Sequence, residues 1–84
     1  MSSWDKLLAN ILSLNKNLRF NELRRVLEAY GYEMKQPRSG SSHCTFRKQG
    51  YMPITIPMHE PIKRPYVEMV KEVVEREEKN HEND

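Results

Sequence analysis

Apolar residues at Trp4, Leu7, Leu8, Ile11 and Leu12 follow the spacing i, i+3, i+4, i+7, i+8, which is one stripe of a helix. Ser2 or Ser3 stands where its N-cap belongs, and Asn15-Lys16-Asn17 breaks the period with residues that favour turns. A second helix is predicted from about Asn21 to Tyr30, with Leu23, Val26, Leu27 and Tyr30 on one face and Phe20 just ahead of them. Gly31 ends it as a residue that tolerates a left-handed cap. Tyr32 to Gln36 alternates apolar with polar residues and reads as a strand stopped by Pro37. A loop from Pro37 to Ser42 then leads into a second strand, where alternation sends Cys44 and Phe46 to one face and His43, Thr45 and Arg47 to the other. Gln49-Gly50 predicts a tight hairpin connection. The third strand is short, with Ile54 and Ile56 turned inward between Pro53 and Pro57, whose missing ladder donors put it at an edge or end it early. Met58 to Arg64 connects to a last helix opened by Pro65, with Tyr66, Val70, Val73 and Val74 as its apolar side. From Glu75 to Asn80 no apolar residue remains, so the helix is expected to fray there.

This order, two helices, three strands and a helix, predicts an α+β fold in which helices pack on one face of a three-stranded antiparallel sheet. The other face stays open and carries Glu33, Lys35, His43, Thr45, Arg47 and Thr55. The expected organisation is an N-terminal helical extension over 1–17, a core domain over 18–76 and a disordered acidic tail over 77–84. At 84 residues the chain suits one domain. The single cysteine, Cys44, falls on the apolar side of its strand and reads as a buried, reduced thiol, which fits a cytoplasmic protein. One cysteine and three scattered histidines make no metal-ligand pattern, and no cofactor is expected. No apolar run approaches the length of a membrane span, so no membrane association is expected.

Charge changes the picture more by its distribution than by its total of +2. Six basic residues, Lys35, Arg38, Arg47, Lys48, Lys63 and Arg64, stand against Glu60 alone between positions 35 and 64, while the last ten residues are net −3. The middle of the chain is therefore a candidate polyanion surface. Within it His43 opens a strand beside the small-residue loop Ser39-Gly40-Ser41-Ser42, where backbone amides are sterically free to approach a phosphate. An imidazole titrates near neutrality and can give or take a proton, which makes His43 the candidate catalyst. His59, in the loop after the third strand, is a candidate to brace that loop or bind phosphate. Tyr51, at the hairpin, is a candidate to stack on a base.

The ordered set Phe20-Asn21-Glu22-Leu23, Leu27, Tyr30-Gly31-Tyr32-Glu33, Gly40-Ser41-Ser42-His43-Cys44-Thr45-Phe46-Arg47, Ile56-Pro57-Met58-His59, Ile62-Lys63 and Tyr66-Val67 resembles the HicA family of toxins over about Phe20 to Val74. The resemblance implies an mRNA interferase of a type II toxin-antitoxin pair, a fold similar to double-stranded-RNA-binding domains with an α-β-β-β-α core, and a HicB-type antitoxin as partner. It places the catalytic histidine at the Gly-Ser-x-His position, here His43. Many relatives carry His or Asn where this chain has Ser42; the departure leaves His43 in place. The N-terminal helix is a second departure from the shortest relatives. It has three expected uses: to complete the core, to make a homodimer contact, or to lie across the open sheet face.

RNA carries its own nucleophile, so a metal-free scheme needs only a proton acceptor for the 2′-hydroxyl and cations for the phosphate. His43 is the candidate for the first task. Lys35, Arg38, Arg47, Lys48 and Lys63, with the amides of Gly40 and Ser41, are candidates for the second. The competing reading from the same residues is a non-catalytic RNA-binding module, in which His43 is one more contact. A third is an interaction domain whose ligand is an antitoxin and whose enzyme activity has decayed.

Overall fold

The computed structural model describes residues 3–35 and 42–82. Helices α1 (Ser3–Leu12) and α2 (Phe20–Ala29) precede strands β1 (Glu33–Lys35), β2 (His43–Arg47) and β3 (Ile54–Pro57), and α3 (Arg64–Glu82) closes the chain. The strands form one antiparallel sheet in the order β1-β2-β3. This is the expected α+β architecture, and its α2-β1-β2-β3-α3 order is consistent with a double-stranded-RNA-binding-like core.

Local chemistry sets the element ends. At the start of α2 the Arg19 N–H donates to the Glu22 carboxylate at 2.9 Å and the Phe20 N–H to the Glu60 carboxylate at 3.0 Å. Two otherwise orphaned donors are thereby satisfied by anions, which also suit the positive end of a helix. The helix begins at Phe20, one residue before its predicted start. At its other end the Tyr32 N–H reaches the Leu27 carbonyl and the Gly31 N–H the Glu28 carbonyl. Gly31 sits at φ +95, so this is a Schellman cap, with Tyr32 buried beyond it. Helix α1 ends in the same hydrogen-bond pattern, Asn15 N–H to Asn10 carbonyl and Leu14 N–H to Ile11 carbonyl, but Leu14 occupies the left-handed position at φ 57. A branched side chain pays about 1–2 kcal/mol there, and Leu14 offsets it by packing against the core.

The core face of the sheet follows the alternation. Cys44, Phe46, Ile54 and Ile56 are buried, and the register sets Met34 opposite Phe46 and Cys44 opposite Ile56. Helix α2 packs on β1 and α3, and α1 packs on α3. Phe20 meets Phe46 with ring centroids 6.0 Å apart, and Trp4 meets Tyr30 at 6.2 Å. Leu7, Leu8 and Ile11 of α1 belong to the same buried cluster as the sheet residues. Burial of each contributes about 1.5–3 kcal/mol before the entropy of ordering the side chain is subtracted. Of its three expected uses, α1 completes the core. It does not lie across the open face.

Two expectations need correction. The turn at Gln49-Gly50 is present, with the Tyr51 N–H on the Lys48 carbonyl at 3.0 Å and Gly50 at φ +86, yet residues 48–53 all separate β2 from β3. Pro53 cannot donate to the ladder, so pairing resumes only at Ile54 opposite Phe46. The second correction concerns the end of α3, which does not fray after Glu75 but continues to Glu82. Its polar turn is tied down through side chains. Glu77 pairs with Lys48, and Arg76 Nη2 donates to the Tyr32 hydroxyl at 2.8 Å.

Candidate functional site

His43 is the first residue of β2, exposed, and opposite Pro57 of β3. The Met58 N–H donates to the Ser42 carbonyl at 2.6 Å, fixing the start of β2 against the end of β3 just where the imidazole emerges. Two residues along the same face stands Thr45, opposite Lys35 on one side and Thr55 on the other. The hydroxyls of Thr45 and Thr55 are 3.1 Å apart and hydrogen-bonded. Lys35 and Thr55 are thus diagonal neighbours of His43, at the roughly 7–8 Å Cα separation of such positions. A lysine side chain is long enough to span that gap.

Arg47 shares the face but not the neighbourhood. It lies four residues along β2 from His43, on the order of 13 Å, and the register sets it opposite the carboxylate of Glu33. Lys48 has left the face altogether. Its Nζ pairs with Glu77 and lies 4.9 Å from the Tyr51 ring centroid and 5.8 Å from that of Tyr32. The Arg76 guanidinium covers Tyr51 from 4.1 Å, and its Nε is buried with no hydrogen-bond partner among the described residues. Lys48, Tyr51, Tyr32, Arg76 and Glu77 therefore form one cluster that clasps the hairpin to α3. Tyr51 has its ring taken up by these cations.

Glu77 and Glu78 also act on Tyr30, whose hydroxyl is pushed above its ordinary value first by burial and then by these two carboxylates. His59 and Lys63 are exposed on the segment between β3 and α3. Lys63 lines a cleft shared with Lys16 and Arg64, to which no residue of β2 contributes among the described residues. Arg38, Gly40 and Ser41 lie outside the described residues. Among the described residues no three His, Cys, Asp or Glu side chains are grouped as metal ligands, and no helix is long and apolar enough to cross a membrane.

The structure thus brings together His43, Lys35, Thr45 and Thr55, and separates from them Arg47, Lys48 and Lys63. The threonine pair escaped the sequence reading as site chemistry because its signal is cross-strand register, which depends on a connection longer than the Gln49-Gly50 turn implied.

Comparison with protein families places the chain. The model of the HicA toxin of bacterial toxin-antitoxin systems matches residues 20–74. The chain belongs to the HicA toxin family. That membership gives it a toxin-antitoxin function, with an antitoxin as its implied partner. No match emerges among curated proteins or among solved structures. The HicA match begins at the first residue of α2 and ends within α3, so it takes in the whole sheet and its open face. Helix α1 with its following turn, and the Arg76 and Glu77 clasp, lie outside the segment shared with HicA.

Proposed function

We propose that this HicA protein is an endoribonuclease that cleaves mRNA without a metal, using His43, and that a HicB-type antitoxin silences it. The observation that carries the reading is an exposed imidazole at the head of β2 with Lys35 and Thr55 as its diagonal cross-strand neighbours and the hydrogen-bonded Thr45–Thr55 hydroxyls on the same sheet face. His43 takes the proton from a ribose 2′-hydroxyl. The 2′-oxygen then forms a bond to phosphorus as the bond to the 5′-oxygen breaks, and that leaving oxygen takes a proton from solvent. Lys35 offsets the negative charge that builds on the phosphate, and Thr45 or Thr55 donates to a non-bridging oxygen. The products are a 2′,3′-cyclic phosphate and a 5′-hydroxyl.

The test is incubation of single-stranded RNA with the wild type and His43→Ala in EDTA, with binding of the same RNA followed in parallel. Wild-type cleavage that disappears in the variant while binding persists supports the reading. A product with a 5′-phosphate and a 3′-hydroxyl would overturn the chemistry, and binding without cleavage in the wild type would favour a non-catalytic RNA-binding module.

A further inference from the structure

The α1–α2 turn and the segment leading into the first residue of α3 enclose a cleft of about 490 Å³, lined by Ser13, Leu14, Asn15 and Lys16 on one wall and Pro61, Ile62, Lys63 and Arg64 on the other. Among the described residues eight line the cleft, of which three are cations and none is acidic. Two carboxylates close in sequence to the lining residues are engaged: Glu60 accepts from the Phe20 N–H at 3.0 Å, and Glu68 accepts from Arg64 Nε at 3.0 Å in an exposed pair that leaves much of the arginine charge available.

Both walls are built firmly. The Ile62 N–H donates to the Leu18 carbonyl at 3.0 Å and joins one wall to the other. On the turn, the Asn17 N–H reaches the Asn15 side chain at 2.7 Å and the Ser13 hydroxyl donates to the Asn10 carbonyl at 3.2 Å, so Lys16 projects from ordered backbone. The cleft is also in reach of the site. Pro57 is paired with His43, and only the chain from Met58 to Ile62 separates it from Lys63. At a maximum rise of about 3.6 Å per residue, Lys63 is no more than roughly 22 Å from Pro57 along the chain.

We infer that this cleft is a second subsite for the RNA backbone, which holds phosphates a few nucleotides from the scissile one, with Lys16 as a contact supplied by the turn outside the family-matched segment. The inference rests on the endoribonuclease reading for its substrate. A cleft whose charge is all of one sign, on an apolar floor of Leu14, Pro61 and Ile62, fits a chain that alternates phosphate with sugar and base. Phosphate contacts of this kind set register and affinity without reading sequence.

The experiment measures binding of a labelled dinucleotide and of a longer single-stranded RNA to full-length His43→Ala, with and without Lys16→Ala or Lys16→Glu, over a range of salt concentrations. Lys16→Ala is expected to weaken the longer RNA several-fold, to flatten its dependence of log K on log salt by about 0.7, and to leave the dinucleotide unchanged. Lys16→Glu is expected to weaken the longer RNA further. Equal affinity and equal salt slope for the longer RNA in all three proteins would overturn the subsite, as would capture of an acidic peptide at Lys16 with no such effect on RNA. Wild-type cleavage with no Lys16 effect sinks the subsite and spares the catalytic reading; a Lys16 effect on binding without wild-type cleavage does the reverse. Unchanged melting temperatures in the variants exclude a folding defect at this exposed turn.

Discussion

The two faces of β2 are built from neighbouring residues and answer to different constraints. Cys44 and Phe46 are fully buried, whereas His43 and Arg47 are exposed and Thr45 is half-buried. On the inner face shape decides, because Cys44 and Phe46 belong to the buried core cluster and a lost group leaves a hole. On the outer face register decides, because it sets which side chains stand beside His43, the catalyst in the proposed function. A single strand thus carries a stability constraint on even positions and a chemical one on odd positions.

The strongest way to break that contrast is to cut into the inner face. Phe46→Ala removes a ring that packs against Phe20 and is expected to cost about 3–5 kcal/mol, enough to unfold much of so small a domain. Urea unfolding checks it; a loss below about 1 kcal/mol would show that the inner face is not tightly packed.

The adjacent pair His43 and Cys44 sharpens the contrast. His43→Ala is expected to lower RNA cleavage by about 10²–10⁴-fold while stability changes by well under about 1 kcal/mol. Cys44→Ala should do the opposite, costing roughly 1 kcal/mol with cleavage intact. Melting curves and initial rates on the two variants separate the faces, and a His43→Ala protein that unfolds would remove the distinction.

Between the faces lies the rim, where Lys48 turns its charge toward α3. Arg76→Ala takes away the donor to the buried Tyr32 hydroxyl and the cation over Tyr51, and is expected to cost about 1–3 kcal/mol without altering the cleavage rate. A rate loss in this variant, measured on protein confirmed as folded, would move the rim into the site.

The sequence made the inner face easy to read and the outer one hard, and the reasons are physical. Burial follows period, so helical spacing and strand alternation alone place Leu23, Val26, Leu27, Cys44, Phe46, Ile54 and Ile56 inside. Which outer side chains meet is a matter of register, and register depends on the length of the 48–53 connection, which Gln49-Gly50 alone understated. Partner choice was harder still. Nothing local tells that Lys48 pairs with Glu77, 29 positions away, and without that tie the polar turn of α3 reads as a frayed end. Leu14 in the left-handed cap was equally hidden, since Asn15 beside it is the residue type that usually takes that conformation.

The smallest expected effect is also the finest test of register. Lys35 and Arg47 are both exposed cations on the open face, and composition does not rank them. Register does: Lys35 is a diagonal neighbour of His43, while Arg47 is on the order of 13 Å away and faces Glu33, beyond the roughly 8 Å over which salt screens exposed charges. Lys35→Ala should therefore lower kcat/KM about tenfold, less than a preorganised buried donor would, because solvent screens it. Arg47→Ala should change it by no more than about twofold. If the two variants fall equally, or Arg47→Ala falls further, the scissile phosphate sits farther along β2 than His43 and Thr45 place it, and His43 is then too distant to take the 2′-hydroxyl proton.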